Sequence, residues 1–203
     1  MNHFAKKYLI VFFVFLFFQV QVFSGSFYTA TLYPKENTED VKKLLKGKNF
    51  FICSKAEEYN LVTEEISDEL FTMTIPKLSL KTEKPIISYY IYDSDVLCFA
   101  VYQKGKQVFV LDNSREYFYG AKFILKGKDN IPALFKIDKE KWNAEISKEK
   151  FDECIFADEY LLKILDLLNL PKWVEGIGYR YLAEDKAFVS ELKEFGIVVE
   201  KYN

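Results

Sequence analysis

The chain has 203 residues, half of them apolar and 29% charged, with 20 Phe, 14 Tyr and a formal net charge of −2. This composition excludes the disordered and collagen-like classes. The slightly acidic balance excludes the basic footprint that nucleic acid requires.

The first element is a leader. Lys6 and Lys7 precede an uncharged run from Tyr8 to Phe18, which Gln19 and Gln21 interrupt. A positive start, an apolar run of about 7–15 residues and small residues before the cleavage site define a secretory signal. Cleavage after Ser24 places Val22 and Ser24 at the −3 and −1 positions. The expected organisation is a signal peptide over 1–24 and a single mixed α/β domain over 25–203, exported to the periplasm or medium. The alternative is an uncleaved anchor at residues 8–23, although the apolar run is shorter than the roughly 20 residues of a membrane span.

Phe27 to Tyr33 is rich in aromatic and β-branched residues and stops at Pro34, which predicts a strand. Asn37 or Thr38 then caps a helix with Val41, Leu44 and Leu45 on one face, closed by Gly47, and Asn49 to Ser54 returns as a strand. The opening is therefore a β-α-β unit. Residues 55–84 are polar and harder to assign, with a weak strand pattern over 70–75. Ile86 to Tyr92, Val96 to Tyr102 and Gln107 to Leu111 are three strands joined by Asp93-Ser94-Asp95 and Lys104-Gly105 turns, an antiparallel meander. Ile87, Tyr89 and Ile91 occupy one face of the first of these, and Ile86, Tyr90 and Tyr92 the other. A sheet with one wet face alternates apolar and polar residues, so both faces are expected to be covered, by helices or by a partner.

Pro132 starts a helical turn within Ile131 to Ile137, and Ser147 caps a helix through Phe151. Ala157 to Leu170 carries the clearest apolar stripe in the chain, with Tyr160, Ile164, Leu167 and Leu168 on it, and Pro171 ends it. Trp173 and the Gly176-Ile177-Gly178 loop lead to a helix near Asp185 to Phe195, which Gly196 closes before a strand over Ile197 to Glu200. The expected class is α+β: an antiparallel meander with an opening β-α-β unit and C-terminal helices covering the sheet.

The functional signals are sparse. The one histidine, His3, lies in the leader, so the processed chain has none for a Ser-His-Asp or Cys-His arrangement or a histidine metal site. Cys53, Cys98 and Cys154 sit in apolar settings without metal-ligand spacing. They read as small buried hydrophobes, with one disulfide and a free thiol as the alternative. Asp93, Asp95 and Asp112 could gather around Ca²⁺, but acidic residues in tight turns are mostly turn formers. Glu175 could join another acid in a glycosidase-type pair, yet no spacing selects the second member. No cofactor is expected: Gly176-Ile177-Gly178 lacks the third glycine and the preceding strand of a dinucleotide fingerprint.

Two aromatic clusters remain, Tyr117-Phe118-Tyr119 and Tyr179-Arg180-Tyr181, both placed in loops. Such residues anchor core-covering loops, or they form a protein-binding hot spot. On the second reading the binding residues are Tyr117, Phe118, Tyr179, Arg180 and Tyr181. The only arginines, Arg115 and Arg180, lie near or beside tyrosines in these clusters. Either could act as an internal clamp, since guanidinium stacks and hydrogen-bonds where ammonium does not.

Two stretches resemble a family of uncharacterised bacterial proteins. One runs from Asp93-Ser94-Asp95-Val96-Leu97 to Ser114 and Tyr117-Phe118. The other runs from Phe156-Ala157-Asp158-Glu159 through Leu168-Asn169-Leu170-Pro171 to Gly178-Tyr179-Arg180-Tyr181-Leu182. The resemblance covers about half of the chain after the leader, and it implies structural motifs without an activity. Its members are mostly leaderless, so the leader is a departure.

The function expected from these features is that of an exported, non-enzymatic protein that binds another macromolecule, a protein being one candidate, as an inhibitor, immunity-like factor or envelope component. The alternatives are a carboxylate-dependent hydrolase of an envelope or extracellular polymer and a carrier of a small apolar ligand. A membrane would be a partner only through an uncleaved N-terminal segment.

Overall fold

The computed structural model describes residues 25–65 and 74–203. The leader therefore lies outside the described residues, as does most of the strand pattern over 70–75. The described part of that pattern, Ile75, opens a helix instead, with Pro76 in the first turn, where a missing N–H costs nothing.

Eight strands form one open sheet: β1 (Tyr28–Pro34), β2 (Phe50–Ser54), β3 (Tyr59–Glu64), β4 (Ile86–Tyr92), β5 (Val96–Gln103), β6 (Lys106–Asp112), β7 (Ile124–Lys126) and β8 (Val198–Tyr202). Their order is β7-β6-β5-β4-β1-β3-β2-β8, and every neighbouring pair is antiparallel. The fold is α+β. The opening β-α-β unit is present in split form: helix α1 (Thr38–Leu44) links β1 to β2, and β3 lies between them. Strand β3 falls in the stretch too polar to assign from sequence. Tyr59, Leu61 and Val62 are nevertheless buried there, because Asn60 and Thr63 have hydrogen-bond partners. The meander turns adopt left-handed backbone at Asp93, Ser94 and Lys104, as tight hairpins demand.

The first face of the sheet is fully packed. Ala30, Leu61, Tyr89, Phe99 and Phe109 meet the C-terminal helices in one continuous core. The helices on this side include α5 (Lys139–Glu145), α6 (Lys148–Asp152) and α7 (Ala157–Leu167). Trp142 of α5 is fully buried, its ring edge-on to Phe109 and its Nε1–H donating to the Lys128 carbonyl at 3.0 Å. Helix α7 stops at Leu167, short of the expected Leu170. Asn169 takes a left-handed conformation, and the Leu170 amide bonds back to the Leu165 carbonyl, ending the helix before Pro171.

The second face is covered over only part of its area. Val41 and Leu45, from α1 and its C-terminal end, pack on Tyr33, Phe50, Ile52 and Val62; Ile75 and Leu78 of α2 (Ile75–Ser79) pack on Ile86, Ala100 and Tyr102. No described helix is long and apolar enough to cross a membrane.

Candidate functional site

Where α1 and α2 stop, the second face is left as a cleft of about 1060 Å³. Its floor is alternate residues of five adjacent strands: Thr29 of β1, Tyr90 and Tyr92 of β4, Cys98 of β5, Val110 of β6 and Ile124 of the edge strand β7. The uncharged second face of β4 was the sequence signal for this floor. Covering by helices accounts for Ile86, and the cleft accounts for Tyr90 and Tyr92.

The rims come from two short helices, α3 (Ser114–Tyr119) and α8 (Tyr179–Glu184). Both aromatic clusters were expected in loops, and both are helical. The Asp112 carboxylate accepts from the Ser114 amide at 2.7 Å, and Asn113 pins the start of α3 to the β4–β5 turn. Asn113 accepts from the Leu97 amide at 2.8 Å and donates to the Asp95 carbonyl at 2.9 Å. At the other rim, Gly178 lies so close to β1 that a Cβ there would collide with Tyr28, so α8 starts directly against the sheet.

Phe118, Tyr179 and Arg180 line the cleft, and Arg115 joins them. Tyr117 and Tyr181 are not in its lining. The Tyr117 hydroxyl donates to Asp95 at 3.4 Å. The Tyr181 hydroxyl accepts from the Phe27 amide at 3.0 Å, and its ring packs on Phe188. Neither arginine is an internal clamp: both are exposed. Arg180 pairs with Glu184 one helical turn away, at 3.2 Å. On helices this short the clusters face outward, so the guanidiniums stay in water at the rim.

Asp93, Asp95 and Asp112 do not assemble into a cation site, and no group of three or more potential ligands does so among the described residues. Asp112 is committed to the Ser114 amide, and Asp95 accepts from Tyr117. The three cysteines are free. Burial pushes the Cys53 thiol up to about 12 and raises those of Cys98 and Cys154, so none is poised as a thiolate nucleophile.

The structure also selects the acid partner that spacing left open. The buried Tyr28 hydroxyl donates to Asp158 at 2.5 Å and lies 3.5 Å from Glu175. Burial, then the neighbouring Asp158 charge, holds the Glu175 carboxyl above its usual range. Burial also holds the Tyr28 phenol in its neutral form far above its ordinary value, so it is a fixed donor. Both acids flank the side of Tyr28 that faces the helical layer.

The chain matches no protein-family model, no curated protein and no solved structure, so the geometry alone carries the functional reading.

Proposed function

We propose that this is an exported, non-enzymatic protein that captures a segment of another polypeptide in the open cleft on the second face of its sheet. One observation carries the reading. Phe118 and Tyr179-Arg180, far apart in sequence, line the same cleft. Aromatic rings and arginine are the residue types that dominate protein-binding hot spots. The cleft, at about 1060 Å³, lies just above the roughly 300–1,000 Å³ typical of small-molecule pockets, and its hydroxyl-bearing floor suits the mixed surface of a peptide. The acidic charge balance argues against nucleic acid as the partner.

Selection from a displayed peptide library tests the proposal. The protein should enrich a consensus, and the combined Tyr179→Ala and Arg180→Ala variant should lose that enrichment while keeping its unfolding midpoint. Equal enrichment by both proteins would remove these residues from the site.

A second reading, hydrolysis of an envelope or extracellular polymer, is favoured by one feature: Asp158 and Glu175 flank a single phenol. Retaining glycosidases hold two carboxyls about 5–5.5 Å apart, a spacing compatible with a shared hydroxyl. Turnover of a glycan or peptide substrate that Glu175→Gln abolishes, with folding intact, would support it. Absence of turnover across such panels would count against it.

A further inference from the structure

We infer that the end of the domain at which the N-terminal segment enters is a membrane-interface face, which seats on a zwitterionic lipid surface. The exposed apolar side chains are concentrated there. Phe27 packs on Tyr92 at 4.9 Å between ring centres, Tyr92 on Phe118 at 5.2 Å, and Phe118 on Tyr117 at 5.1 Å and Tyr119 at 6.3 Å. This gives an unbroken chain of rings, each at least 41% exposed. Ile155 and Phe156, also exposed, reach the same end, because the Ala157 amide donates to the Ser94 carbonyl at 2.7 Å.

The point of chain entry selects the occupant. Ser26 is tied to that same turn, its amide donating to the Ser94 hydroxyl at 2.8 Å. Gly25 sits so close to Asp93 that no larger residue fits without a shift. The domain therefore begins in the middle of the apolar face, and the Tyr8–Phe18 apolar run ends seven residues before Gly25. The inference rests on the alternative in which residues 8–23 are retained as an anchor: that run in a bilayer brings this face to the headgroup region. Tyrosine and phenylalanine are suited to that layer, with apolar rings and, for tyrosine, a hydroxyl that stays wet. The charges around the face are of both signs with acids in the majority, Asp93, Asp95, Glu116, Asp158 and Glu159 against Arg115 and Lys122, so a neutral headgroup layer fits better than an anionic one. Phe27, Tyr92 and Phe118 also line the cleft, whereas Tyr119, Ile155 and Phe156 lie outside it, so the face is tested at Tyr119 and Ile155, away from the proposed capture site.

The test uses the full chain reconstituted into phosphatidylcholine vesicles with and without brominated acyl chains, which quench nearby tryptophan. Tyr119→Trp and Ile155→Trp should each lose most of their added emission in the brominated vesicles. Leu80→Trp is the control, because Leu80 is 69% exposed and lies against Gly105 at the opposite end of the sheet. It should keep its emission. Equal emission from all three variants would overturn the inference. Loss of peptide enrichment by Tyr179→Ala and Arg180→Ala tests only the cleft, and it does not change the quenching expected here.

Discussion

The two faces of one sheet have been put to different uses. On the first, the inward residues meet helices in one continuous core, where the buried Tyr89 hydroxyl donates to the Val174 carbonyl. On the second, two short helices cover part of the area and leave hydroxyl-bearing residues lining open space. The floor still looks like a core in composition, because Tyr92 packs edge-on to Phe27 and Phe118 while remaining exposed. The comparison teaches that an uncharged strand face can be left open as readily as it can be packed.

Substitutions should separate the two faces. Trp142→Ala opens a void in the packed layer and removes the indole donor to the Lys128 carbonyl, which keeps only the Ile131 amide. Urea denaturation should show a loss of about 3–5 kcal/mol. Tyr90→Ala on the cleft floor should cost about 1 kcal/mol, nearer the ordinary single-substitution cost. Equal losses would mean that the cleft floor is packed as tightly as the core.

Next in size is the junction between the faces. Asn113→Ala leaves the buried Leu97 amide and the Asp95 carbonyl unpaired and frees the start of α3. A loss of about 1–3 kcal/mol is expected, with peptide enrichment weakened because Phe118 is no longer held at the rim. Unchanged enrichment at reduced stability would show that α3 keeps its place without Asn113.

The smallest expected effect is a pH dependence confined to the packed face. Glu175 has a raised carboxyl value in the fold, so the native state binds its proton more tightly than the unfolded chain does. Stability contributed at this site is therefore greatest at low pH and falls as pH rises from the ordinary value near 4.5 into the raised range. Glu175→Gln should remove that fall, so the variant gains on the parent as pH increases. Parallel stability curves for the two proteins would show that Glu175 titrates as it does in the unfolded chain.

Much of the fold was legible because it follows local rules. The meander turns and the Ser147 cap each depend on a few neighbouring residues, and so does the start of the last helix, where Asp185 accepts from Ala187 and Phe188 although no capping role is assigned to it from sequence. Strand β3 was not legible, because the Asn60 amide nitrogen and the Thr63 hydroxyl find their acceptors on Thr38 and Thr29, 22 and 34 residues away. The site was half legible. The aromatic clusters were visible as residue types, but their meeting across the sheet depends on strand order, which no local pattern encodes. The pairing of Asp158 with Glu175 through Tyr28 is of the same kind, since 130 residues separate the phenol from Asp158.

The position of β1 has a mechanical consequence. It is the first strand of the domain, yet it lies in mid-sheet, laddered on one side to β4 and on the other to β3. A pull on the chain at Gly25 therefore does not peel an edge. It loads two hydrogen-bond ladders at once, along the strand, and the bonds share the force until they fail together. A domain tethered through its central strand in this way would resist extraction from its N-terminal end far better than traction on β8, an outer strand held by a single ladder to β2.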